Sequence, residues 1–216
     1  MGPAAIIVVD LQREFFAREY ADQTRAVKVR DALVQNVNRL LRTAREQQEP
    51  VIFAVTSYRP DRSDWTLLMV DLDRPLCIVG TDGERMVPGI EIEPRDRVVR
   101  KTRYSAFYGT ELEALLDSLA VKHLIICGIN THACIRTTVV DAFMRDYRVL
   151  LPVECVASYD EQQHASTLAY LSRRVANVLS LEELLQRMRQ REYSFSFATA
   201  QAQVRCTWKR ATRLIT

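Results

Sequence analysis

Three residues of this 216-residue chain stand where side chains of their kind could act together. Asp10 closes the apolar run Ala4–Asp10, and Lys101 closes Arg97–Lys101. Cys134 follows the run His123–Ile129 at the end of Gly128-Ile129-Asn130-Thr131-His132-Ala133-Cys134. Lys101 lies 91 residues after Asp10, and Cys134 a further 33 on, so no local contact joins them. A thiol in the first turn of a helix is favoured as thiolate by unpaired N–H groups and the helix dipole. A neighbouring ammonium pushes the same way, and a carboxylate can take the thiol proton and return it to a leaving group. The same N–H groups could hold an oxyanion. Such a set suits acyl transfer or C–N hydrolysis. Each residue also has a plain reading, as a turn cap, a surface lysine and a buried structural thiol. Their joint placement favours the chemical one.

The elements that must position them follow from the pattern. Short apolar, β-branched runs read as strands at Ala4–Asp10, Val51–Thr56, Arg97–Lys101, His123–Ile129, Arg148–Val153 and Val175–Leu179. Helical periodicity places helices near Arg25–Gln48, Thr110–Leu119, His132–Asp146, Glu161–Leu171 and Leu181–Arg189. Alternation of this kind predicts an α/β fold: a doubly wound, mainly parallel six-stranded sheet with helices on both faces. Ligands of such folds bind beyond the carboxyl ends of the strands, where Asp10, Lys101 and Cys134 emerge. Ser57–Ile92 breaks the alternation and reads as a long surface excursion of the kind that often carries function. The expected domain is 1–191. Residues 192–216 read as a tail, either unordered or docking on a neighbouring subunit.

Composition narrows the classes. Apolar residues make up 48% and charged residues 26%, with a net charge of +3, which predicts neither nucleic acid nor a membrane surface as partner. No stretch reaches the roughly 20 apolar residues of a membrane span, and a cytoplasmic location is expected. The five cysteines are widely spaced, with no C-x-x-C pair, and suggest neither a disulfide framework nor a zinc site. Gly80-Thr81-Asp82-Gly83 lacks the helix and lysine of a phosphate loop.

Three motifs carry a resemblance. Asp10-Leu11-Gln12 with Phe15 resembles the D-x-Q-x-x-F opening of the isochorismatase-like cysteine hydrolases. Lys101-Thr102-Arg103-Tyr104-Ser105-Ala106-Phe107 resembles their lysine motif, followed by Gly109-Thr110. Gly128–Ile135 resembles their nucleophile motif, and Asp141-Ala142 follows at the usual place. The resemblance covers about residues 4–185. It implies a three-layer α/β/α fold and hydrolysis of amide, carbamoyl or ureido C–N bonds through a covalent acyl-enzyme. Carried over, Cys134 is the nucleophile, Asp10 the general base and acid, and Lys101 the electrostatic partner. It also implies a cis peptide at Ile129–Asn130 and an oxyanion site from the N–H groups of Asn130 and Cys134. Homodimers or homotetramers are common among such proteins.

One departure matters. Nicotinamidases of this family carry an Asp-x-His metal motif after the second strand, where this chain has Ser57–Trp65 without histidine. No metal and no cofactor are therefore expected. Gln12, Phe15, Trp65, Tyr104, Phe107 and His132 are the candidate substrate-binding residues, chosen because they lie on or beside the motifs. The expected partner is a small amide or ureido compound. Two other readings stay open: vinyl-ether hydrolysis with Asp10 as acid and no covalent step, and a catalytically silent assembly or thiol-sensing module.

Overall fold

A computed structural model describes residues 3–18 and 22–193. The expected tail from Ser194 on lies outside the described residues. The sheet strands are β1 (Ala4–Val9), β2 (Val51–Thr56), β3 (Arg97–Lys101), β4 (His123–Ile129), β5 (Arg148–Pro152), β6 (Val156–Ala157) and β7 (Ala176–Leu179). They run parallel in the order β3-β2-β1-β4-β5-β7, with β6 pairing β4 beyond the end of β5. The fold is thus the doubly wound parallel sheet that the alternation predicts, with seven strands rather than six. The extra strand, β6, has two residues after a 3₁₀ turn, too few to leave a period in the sequence.

Every residue of β1, β2 and β4 is buried, because helices cover both faces. Alternate side chains of β1 enter different cores. Ala4, Ile6 and Val8 pack with α1 (Arg13–Arg18), α2 (Gln23–Glu46) and α7 (Leu181–Gln190). Ala5, Ile7 and Val9 pack with α4 (Leu112–Ser118), α5 (Arg136–Phe143) and α6 (Glu161–Arg174). Asp22 caps α2 through the N–H groups of Thr24 and Arg25. The excursion after β2 holds the five-residue α3 (Leu67–Asp71) and returns to the sheet through isolated bridges Tyr58↔Ile78 and Gln12↔Met86. The region expected as one helix from His132 splits into a π-helical turn, Thr131–Ile135, followed by α5. Among the described residues no helix is long and apolar enough to cross a membrane.

The packed chain continues beyond residue 191. Tyr193 is buried, its hydroxyl donating to Glu49 Oε1 at 2.9 Å and its ring 5.7 Å from that of His123. Glu49 Oε2 in turn accepts the Ala4 N–H at 2.9 Å, so Tyr193, three residues past α7, is tied through Glu49 to the start of β1. Burial raises the Glu49 pKa, opposed by these hydrogen bonds. Tyr193→Ala should cost roughly 3–5 kcal/mol of unfolding free energy in urea, as for other large buried aromatics. Tyr193→Phe should cost about 1.5–3 kcal/mol, since it leaves a buried carboxylate oxygen without its donor.

Candidate active site

The strand order brings three carboxyl ends side by side. Thr56 pairs with Lys101 across β2 and β3, while Val9 pairs with Ala54 on one side and Gly128 on the other. A Cβ on Gly128 would lie 1.9 Å from the Val9 carbonyl oxygen, so only glycine lets β4 approach β1 this closely. At Asp10 the chain leaves β1 in the left-handed region (φ 54°), a conformation Asp adopts more readily than most residues. The Ile129–Asn130 peptide is cis.

These ends place the three expected residues in direct contact. Lys101 Nζ lies 2.7 Å from Asp10 Oδ2 and donates to Cys134 Sγ at 3.4 Å. All three side chains are buried. Thr56, which the sequence reading missed, joins them. Its hydroxyl donates to Asp10 Oδ1 at 2.8 Å and accepts from Lys101 Nζ at 2.9 Å, while its N–H donates to Asp10 Oδ1 at 3.0 Å. The Arg103 carbonyl accepts a further Lys101 bond at 3.2 Å. The signal of Thr56 in the sequence is only that it ends a strand.

The electrostatics correct one expectation. Burial, then the Asp10 carboxylate, push the Cys134 thiol well above its usual range, and Lys101 opposes them only in part. The helix-start argument for a lowered thiol pKa fails because Cys134 sits in a closed π-helical turn, out of water and beside an anion. For Lys101, burial disfavours the charge, but Asp10 and Cys134 beside it outweigh that and hold the ammonium above its ordinary range. Burial and the carboxylate thus favour the neutral thiol, beside the Asp10–Lys101 ion pair.

A cavity of about 500 Å³ opens onto Cys134. Phe15, Tyr104, Asn130 and His132 line it as expected. Leu68, Met69 and Leu72 of the α3 region, Arg74, Thr137 and Tyr159 line it too and were missed. Three expected binding residues do not. Gln12 is buried beneath the site, where Oε1 accepts the Thr56 N–H and Nε2 donates to the carbonyls of Thr56 and Glu84. Phe107 packs in the same core cluster as Cys134 but away from the cavity, stacked on Tyr147 at 5.9 Å. Trp65 donates to the Arg59 carbonyl and lies under the Arg62 guanidinium, within the excursion itself. His132 is held between Ser158 Oγ (2.7 Å) and the Tyr159 hydroxyl (3.3 Å), and burial lowers its pKa. Among the described residues no group of three or more His, Cys, Asp or Glu could hold a metal ion.

Comparison with known proteins agrees with this fold. The isochorismatase domain matches residues 4–183. This chain belongs to the isochorismatase family of hydrolases. It is 27% identical over 182 residues to enterobactin synthase component B of Escherichia coli, covering 84% of this chain but 62% of that protein, so it spans less than two thirds of that relative. A cysteine hydrolase from Pseudomonas syringae pv. phaseolicola superposes with a TM-score of 0.76 at 26% identity, covering 87% of this chain and 92% of that one. An N-carbamoylsarcosine amidase from Thermoplasma acidophilum does so with a TM-score of 0.69 at 27% identity, covering 84% and 98%.

The role of Thr56 yields a test. Thr56→Val removes a buried hydroxyl that bonds both charges and should lower the unfolding free energy by about 2 kcal/mol or more, since bonds to charged groups are worth roughly 1.5–3 kcal/mol. Thr56→Ser keeps the oxygen and should cost less than about 1.5 kcal/mol, the price of the lost methyl alone. Urea unfolding of the two variants distinguishes the hydroxyl from simple packing.

Proposed function

We propose that this protein is a cysteine hydrolase that cleaves a C–N bond of a small amide, carbamoyl or ureido compound through a thioester acyl-enzyme on Cys134. The observation that carries the reading is the direct contact of Lys101 with both Asp10 and Cys134, where Cys134 itself lines a cavity.

The geometry supports the following sequence. A substrate carbonyl settles over Cys134, and Asp10 takes the thiol proton as sulfur attacks the carbonyl carbon. Lys101 balances the charge of whichever group, carboxylate or thiolate, is ionised. The N–H groups of Asn130 and Cys134 hold the oxyanion of the tetrahedral intermediate. Asp10 then delivers its proton to the leaving nitrogen, and the C–N bond breaks to leave a thioester. Water, giving its proton to Asp10, attacks the thioester, and the returning proton restores the thiol with release of the acid. Because burial and Asp10 favour the neutral thiol, this sequence has proton transfer accompany the attack.

A buried thiol in contact with Lys101 favours this reading over vinyl-ether cleavage, which needs an acid but no nucleophile. It also disfavours a silent assembly module, which would gain nothing from burying an ion pair against a thiol, where desolvation costs several kcal/mol per ion. The similarity to a protein named N-carbamoylsarcosine amidase points the same way. The proposal includes a cytoplasmic setting, in which the described cysteines stay reduced, and a homodimer or homotetramer as the working form.

Ammonia release over a panel of primary amides, carbamoyl and ureido compounds tests the reading. At least one compound should turn over, and Cys134→Ala should abolish that turnover with the fold intact by circular dichroism. Near-wild-type turnover in Cys134→Ala would sink covalent catalysis. The charge balance makes a second prediction. Asp10 raises the thiol pKa, so Asp10→Asn should lower it and speed iodoacetamide alkylation of Cys134 at neutral pH, whereas Lys101→Met should slow it. Wild-type alkylation should accelerate as pH rises above neutrality. Slower labelling in Asp10→Asn than in wild type would contradict the assignment of the charges.

A further inference from the structure

Thr131 opens the turn that carries Cys134 and is fully buried, yet it does not line the cavity. The Asn130 carbonyl just before it accepts the N–H groups of Ala133 and Ile135 at 3.1 and 3.2 Å, so the turn is wound on this point. The two N–H groups assigned above to the oxyanion flank Thr131 in the chain. A small rotation there misaims both.

The Thr131 side chain is held from two other elements. Its hydroxyl donates to the carbonyl of Ala157 in β6 at 2.9 Å and lies 2.9 Å from Nδ1 of the half-buried His164 in α6. The hydroxyl has one hydrogen and the carbonyl has none, so that hydrogen goes to Ala157. The imidazole must then supply the hydrogen of the second contact, because a bare Nδ1 would set two lone pairs face to face. Burial lowers the His164 pKa and favours the neutral ring, whose single hydrogen is therefore on Nδ1.

This clamp reinforces a short ladder. β6 pairs with β4 only at Gly128↔Val156 and Ile129↔Ala157, immediately ahead of Asn130. The next residue of the turn, His132, is held from the same side by Ser158 Oγ at 2.7 Å and the Tyr159 hydroxyl at 3.3 Å. The segment 157–164 thus grips the start of the nucleophile turn by two consecutive side chains.

We propose that His164 is a positioning residue for the nucleophile turn: its Nδ1–H pins the Thr131 hydroxyl against Ala157 and so sets the aim of Cys134 and of the oxyanion N–H groups. This rests on the C–N hydrolase reading above and adds to it a residue that does not line the cavity. Misplacing reacting groups by about 1 Å can cost on the order of 10²-fold in rate. A residue that only aims the turn affects kcat and leaves KM alone.

The test uses the amide that turns over fastest in the ammonia screen. His164→Leu should lower kcat about tenfold, the worth of one buried hydrogen bond, with KM unchanged. His164→Asn, whose amide nitrogen stands where Nδ1 does, should restore most of the loss. The double variant Thr131→Val, His164→Leu should be no slower than Thr131→Val alone, because the histidine acts through that hydroxyl. NMR of wild type with ¹⁵N-labelled histidine needs no substrate and should place the His164 hydrogen on Nδ1 at neutral pH. A hydrogen on Nε2 would overturn the proposal. So would a double variant that loses a further tenfold, or a His164→Leu protein that unfolds at a lower temperature but keeps the wild-type kcat, which would leave His164 a purely structural part. If wild type turns over no compound in the screen, the C–N reading falls, and the ring signals alone decide whether the clamp exists.

Discussion

The buried ion pair of Asp10 and Lys101 constrains the rest of this structure. Neither charge touches water, and removing one partner of such a pair typically costs about 3–5 kcal/mol. Their coexistence depends on Thr56, whose hydroxyl and N–H bond the carboxylate while the same hydroxyl accepts from the ammonium. Thr56 depends in turn on Gln12, which grips the backbone N–H and carbonyl of that residue. The strand order β3-β2-β1-β4 is what sets these groups at neighbouring strand ends, and Gly128 lets β4 come near enough for Cys134 to reach Lys101.

The ion pair also determines what kind of nucleophile Cys134 can be. A thiol at an exposed helix start beside a lone cation would be ionised at rest and open to adventitious oxidation. Here burial and the carboxylate favour its neutral form. The cavity above it is walled by Phe15, Leu68, Met69 and Leu72, so water is displaced by apolar surface while His132, Tyr159 and Asn130 supply the polar contacts. Specificity therefore lies partly in the excursion after β2, which contributes α3, and partly in the nucleophile turn.

Much of this was legible in the sequence, for a physical reason. Asp10, Lys101 and Cys134 each follow an apolar run at a strand end, and parallel topology converts three such ends into one place. What failed was direction. Gln12 lies two residues from Asp10, yet the turn at Asp10 points it toward the Thr56 backbone and not the cavity. Phe107 belongs to the lysine motif, but that segment folds back on α5 through the Ala106 N–H bond to Thr138 and buries the ring in the core against Tyr147, away from the cavity. The α3 wall was missed because a five-residue helix, apolar nearly all round, shows no period. Tyr193 was missed because one aromatic among polar neighbours gives no pattern, only a contact with Glu49 that three-dimensional closure creates.

The most direct test of the account is to look for the acyl-enzyme. Wild-type protein mixed with a turned-over amide, quenched in acid within the first turnovers and digested, should yield a peptide containing Cys134 that is heavier by the acyl group. That adduct should form before the acid product appears and decay as it is released. Steady turnover of the amide with no adduct on Cys134 at any quench time, or an adduct confined to another residue, would contradict the assignment of Cys134 as nucleophile.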